Sequence, residues 1–200
     1  MATTSKCTNA ALYESLEFCK GKTLLPGIRT RVYFIPKRDI VQWPKLPEAD
    51  AAGADMGKLG TLDGSFTLAA DKNWMYMDLI DNKGKIECES QGDKPARSFI
   101  NKISLVHPET NEAATGFCRQ ANADDFVYLV QMRGGKFRVL GNEAFETDTK
   151  PKQDSGEGVT GDFGTTLDIE VTDVCPAPYY TGDIVTADGT IDALTGDAKA

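Results

Sequence analysis

The residues able to do chemistry are few and poorly spaced for it. The chain has one histidine, His107, so a Ser-His-Asp or Cys-His arrangement has to be built there or nowhere. It stands in a His-Pro pair at the end of a strand-like run, where a turn or capping role is the natural reading. The five cysteines, Cys7, Cys19, Cys88, Cys118 and Cys175, form no C-x-x-C pair and are odd in number. With one histidine they do not make a spaced zinc site, and they read as reduced thiols used as small hydrophobes. Asp124-Asp125, and Asp168 with Glu170, come nearest to paired carboxylates. No hydrolase pattern frames them, and acidic neighbours arise by chance in a chain with 30 acidic residues. Gly156-Glu157-Gly158 and Gly161-Asp162-Phe163-Gly164 lack the Lys-Ser/Thr and the strand-turn-helix frame of a phosphate loop. The acidic residues from Asp154 to Asp162 lack EF-hand spacing. The reading is a chain without catalysis, metal or cofactor, and carboxylate chemistry at an unframed site is the enzymatic alternative.

Two hundred residues fit one domain, or one domain with extended arms. No apolar run nears the ~20 residues of a membrane helix, so no membrane anchor is expected. The opening Met-Ala-Thr-Thr-Ser-Lys-Cys lacks the apolar core of a secretory signal, which points to a protein made in the cytoplasm. The net charge of −8 is unevenly spread. Through Lys45 there are eight basic residues against three acidic, a balance of +5, leaving −13 for the remainder. A basic front and an acidic body attract one another, within a chain or between copies. Sequence-independent DNA binding is disfavoured, because phosphate affinity comes from clustered Lys and Arg.

The elements that must position these residues are mostly strands. The stretch Asp124–Leu140 holds two strand-like runs, Phe126–Met132 and Phe137–Leu140, around Gly134-Gly135, a strong hairpin signal. Before it, Glu109–Ala123 reads as a helix, with Pro108 near its start and Ala113, Ala114, Phe117 and Ala121 as an apolar stripe. Ile28–Ile35, Thr61–Leu68, Lys85–Ser90, Ser98–Val106 and Thr166–Val174 read as strands. Trp74–Ile80 is apolar on both faces and suits a strand buried on both sides. Thr8–Lys20 is either a short amphipathic helix or an extended arm. Two segments stand out as long and aperiodic: Pro36–Leu59, and the polar Thr147–Gly164, which reads as a loop or a long hairpin tip. Tyr179–Ala200 is acidic and poor in bulky apolar residues, so a loosely attached tail is expected. The organisation is an N-terminal arm or helix at 1–27, a β domain at 28–182 and an acidic tail at 183–200. The fold class is mainly β, an antiparallel barrel or sandwich with one flanking helix and long loops.

The hairpin with its adjacent helix, the long polar insertion, the last alternating strand and the closing Asp173-Val-Cys-Pro-Ala-Pro-Tyr-Tyr-Thr-Gly together resemble the major tail tube proteins of tailed bacteriophages. Those are similar in fold to the tube proteins of contractile injection systems. The likeness covers Gly64–Asp81, Ser98–Gly141 and Thr165–Gly182; the basic front and the Trp43 segment have no counterpart in it. It implies a virion structural protein, located in the tail, whose copies close a ring, commonly a hexamer. Rings stack into a tube through which DNA leaves without specific binding, alongside other virion proteins. An acidic inner wall would repel phosphate, and the residues this assigns to the wall are Glu87, Glu89, Asp168 and Glu170. The subunit interfaces would draw on Trp43, Pro44 and Leu46 in the first long segment and on Lys152, Asp154 and Phe163 in the second. Trp43 packed on its own domain is the competing reading. Alternative functions are a head–tail connector or capsid decoration protein, or a monomeric carbohydrate- or peptide-binding sandwich that uses Trp43 and Tyr179-Tyr180 as a stacking surface.

Overall fold

The run Phe126–Gln131 is buried residue by residue, with no polar face, the pattern of a strand covered on both sides. The rest of the chain is layered around it. The computed structural model describes residues 12–49, 51–158, 161 and 163–199. In chain order the strands are β1 (Ile28–Pro36), β2 (Ile40–Gln42), β3 (Thr67–Leu68), β4 (Met75–Asp78), β5 (Lys85–Gln91) and β6 (Ser98–His107). The helix α1 (Glu112–Ala121) follows, then β7 (Phe126–Met132), β8 (Phe137–Leu140), β9 (Thr147–Ser155), β10 (Phe163–Asp173), β11 (Tyr179–Tyr180), β12 (Asp183–Thr186) and β13 (Gly189–Asp192).

Two antiparallel sheets form the sandwich. One has the order β11-β8-β7-β1-β4 and the other β5-β6-β10-β9. They are separate sheets, so the barrel alternative does not hold and the sandwich does. The predicted hairpin is present, pairing Gln131 with Phe137 and Tyr128 with Leu140 across the Gly134-Gly135 turn. Gly135 sits at φ +99°, where a Cβ is strained. Phe34, Tyr128, Val130, Leu105, Leu167 and Ile169 fill the space between the sheets. Such burial contributes roughly 1.5–3 kcal/mol per large side chain. The helix closes one side, its Phe117 ring 5.1 Å from that of Phe34. It is shorter than Glu109–Ala123 because Asn111 caps it, accepting the Ala114 N–H at 2.9 Å.

Three expectations change. Trp74–Ile80 is not buried on both sides: β4 pairs only with β1 and forms a sheet edge, leaving Met75 and Tyr76 exposed. Of the two readings of the polar segment 147–164, the loop does not hold and the long hairpin does. Its first nine residues form β9, paired with β10 from Val171↔Thr147 to Phe163↔Ser155, and Pro151 is tolerated there because β9 is an edge. The C-terminal tail is not loose. The hairpin β12–β13 lays Ile184 and Ala193, both 0% exposed, against Leu129, Val139 and Trp74 on the outer face of the five-stranded sheet. Tyr180 fixes this layer by accepting the Phe66 N–H at 3.2 Å and donating to the Asp183 carbonyl at 2.9 Å. At the other terminus, the part of Thr8–Lys20 within the described residues is not helical and lies exposed, while residues 8–11 fall outside them.

Candidate functional site

Strand alternation and pairing together build a charged face on β5-β6-β10-β9. One row across the strands reads Glu87, Lys102, Glu170, Asp148, and the next reads Lys85, Ser104, Asp168, Lys150. The opposite face of the same strands carries Ile103, Leu105, Leu167, Ile169 and Val171 into the core. The four acids assigned from the sequence therefore do share one surface, with Glu89 one row further along. What the sequence reading missed is the lysines. Lys85 lies 2.7 Å from Glu87, and Lys102 bridges Glu89 at 3.8 Å and Glu170 at 3.9 Å. Lys150 lies 2.8 Å from Asp148. The Lys85 ammonium, by hydrogen bond and then by charge, holds the Glu87 carboxyl below its usual range. The Asp148 carboxylate holds Lys150 above its own. Counting Lys152 and Asp154 on the same alternation, the face has six carboxylates and four lysines, a net of −2. It is a mixed lattice rather than a purely acidic wall. Exposed pairs of this kind contribute ~0–1 kcal/mol each, so their role is to set surface potential, not stability.

The six interface candidates separate into two places. Trp43, Pro44 and Leu46 line an apolar groove of about 310 Å³, together with Leu62, Phe66, Phe145 and Pro178. Pro44 is buried and the Trp43 ring stands edge-on to Phe66 at 5.5 Å. Trp43 thus packs on its own domain, the competing reading, while also walling an open groove. Asp173 borders the groove, and burial pushes its carboxyl up despite the Val174 N–H that it accepts at 2.6 Å. Lys152, Asp154 and Phe163 lie at the other end of β10, around a hollow shared with Val106 and Thr166. Phe163 is half exposed there.

Other groups singled out by the sequence have structural work. Asp125 accepts the Thr147 N–H at 2.8 Å, and Asp124 pairs with Arg38, so the two acids join the ends of β7, β9 and β1. His107 Nδ1 lies 2.7 Å from the Asp78 carbonyl, linking the end of β6 to β4. Burial raises the Cys88, Cys118 and Cys175 thiols, Cys175 to about 11, which keeps them protonated near neutrality. Tyr180 is buried and Tyr179 lies under Arg138, 4.6 Å from ring centre to guanidinium. With Trp43 folded onto Phe66, these rings do not make the exposed stacking surface that a carbohydrate reading needs. Among the described residues, no group of three or more His, Cys, Asp or Glu side chains is placed to hold a metal ion. No helix among them is long and apolar enough to cross a membrane. The chain matches no family model, no curated protein and no solved structure.

Proposed function

We propose that this chain is a structural subunit whose copies join into rings that stack as a tube, in the manner of a phage tail tube, with no catalysis and no cofactor. The observation that carries the reading is the β5-β6-β10-β9 sheet. It has one buried face, one largely polar face in which Ile100 and Val106 are the apolar residues of β6, and two unpaired edges in β5 and β9. Unpaired edges invite strand addition, and joining sheets around a ring removes them. The polar face then turns toward the central hole. Its carboxylates repel phosphate, and Lys85, Lys102 and Lys150 are each held beside a carboxylate, so DNA passes without a clustered basic track to stick to. On this reading the partners are further copies, other virion proteins and DNA in transit, and the location is the virion tail.

Light scattering on the purified protein across a concentration series, with the same samples imaged in negative stain, tests it. Rings or tubes with a central hole are the expected result. A monomer at every concentration would contradict the reading. Single rings that never stack would favour a head–tail connector instead.

A further inference from the structure

Two cysteines from distant parts of the chain meet at one end of the sandwich. Register sets Cys88 in β5 directly across from Asn101 in β6, and such partners point their side chains to the same face. Here that is the inward face, since Asn101 is fully buried and pairs on its other side with the buried Val171. The chain leaving β10 folds back over this row, and Asn101 Nδ2 donates to the Cys175 carbonyl at 3.0 Å. Arg138 enters from the facing sheet and donates from Nη1 to the Pro176 carbonyl at 3.4 Å. Its guanidinium stands within hydrogen-bond reach of the Cys88 sulfur and within charge range of Cys175. Two buried polar atoms at this spot have no partner, the Asn101 Oδ1 acceptor and the Arg138 Nε donor. Among the described residues only Thr147 Oγ1 shares that condition. An acceptor and a donor left open beside one thiol ask for a group that carries both a hydrogen and a lone pair.

We propose that Cys88 and Cys175 are a redox pair, in which hydrogen peroxide oxidises Cys88 to a sulfenic acid and Cys175 closes it to a disulfide. The Cys88 thiolate attacks one peroxide oxygen, the O–O bond breaks and hydroxide leaves. The new S–O–H supplies what the two open atoms lack: its oxygen accepts from Arg138 Nε–H, and its hydrogen is donated to Asn101 Oδ1. The Cys175 sulfur then attacks the Cys88 sulfur, the S–O bond breaks, and a second hydroxide leaves as the disulfide forms. Over both steps two thiols give up two protons and two electrons, and the peroxide becomes two waters. Both cysteines are partly exposed, open to an oxidant of that size. Cys88 reacts first because Arg138 offsets the effect of burial there, whereas Asp173 adds to it at Cys175, which is pushed up to about 11. Both thiols are protonated at neutral pH, so the reaction is slow there and quickens as pH rises. The bond ties β5, an edge of the charged sheet, to the turn that leads into β11 of the other sheet. It lies within one subunit and does not depend on how copies assemble.

The test treats the reduced full-length chain with hydrogen peroxide, alkylates the remaining thiols and maps the cysteine peptides by mass spectrometry. A parallel sample contains dimedone, which traps sulfenic acids. A linked Cys88–Cys175 peptide is expected in the native sequence, and a dimedone adduct on Cys88 in Cys175→Ser. Loss of the free Cys88 thiol should quicken about tenfold per pH unit through neutrality, as the thiolate fraction grows. Arg138→Met should slow that loss severalfold and leave oxidation of the exposed Cys19 unchanged. A Cys88 that stays reduced while Cys19 is oxidised would overturn the proposal. So would a Cys88 adduct that Cys175 never converts to a disulfide, or a bond from Cys88 to Cys118 in its place.

Discussion

Asp173 carries a cost the fold would lose little by shedding. Its carboxyl is buried at the end of β10 and titrates above its ordinary value because burial disfavours the charge. A carboxyl raised in the folded state stabilises fully below the unfolded carboxylate range, and that contribution is lost as pH rises through the folded value. At neutral pH the ionised form is therefore a penalty. Asp173→Asn, which keeps an oxygen to accept the Val174 N–H, is expected to raise the melting temperature at pH 7 and to give no gain near pH 3. A fall at pH 7 in a thermal scan would mean that the charge itself is used, for instance on the groove it borders. This residue was half legible: alternation places Asp173 on the inward face with Leu167, Ile169 and Val171, but the groove it borders is built by non-local neighbours that a single sequence does not show.

At the scale of elements, the C-terminal hairpin is the sharpest departure from what the sequence suggests. Ile184 fills space between β12 and the five-stranded sheet, so Ile184→Ala is expected to cost ~2–5 kcal/mol in denaturant unfolding. A loosely attached tail would lose almost nothing. The hairpin was hidden because residues 183–200 hold few bulky apolar side chains, and Ile184, with the small Ala193 beside it, does the covering. Strand β9 was hidden for the converse reason. Thr-Asp-Thr-Lys-Pro-Lys-Gln-Asp-Ser has no apolar alternation, and its strand character comes from pairing with β10, a non-local fact. Strand β10 was plain because Leu167, Ile169 and Val171 alternate with Asp168 and Glu170, a pattern that depends on neighbours two residues apart. The candidate site divides in the same way. Alternation alone put Glu87 and Glu89 on one face, and Asp168 with Glu170 on another. That these faces are one surface, with Lys102 between Glu87 and Glu170, follows from register across three strands, which a single sequence does not encode locally.

For the whole molecule, the features that a lone subunit leaves unused point the same way. The arm around Tyr13 and Leu16 is exposed, the groove beside Trp43 is open, and β4, β5 and β9 end their sheets unpaired. Arg31 blunts the β4 edge, holding Asp78 at 2.7 Å and covering the Tyr76 ring at 4.1 Å, as edges protected from indiscriminate pairing are. In the proposed assembly the edges of the charged sheet pair with further copies of the chain, and those copies close a ring with the charged face inward. A cryo-electron microscopy reconstruction of the assembled protein tests it most directly. The account predicts a central hole walled by β5, β6, β10 and β9, with Glu87, Lys102, Asp168 and Glu170 facing it. A hole walled by α1 or by the β12–β13 hairpin would contradict it.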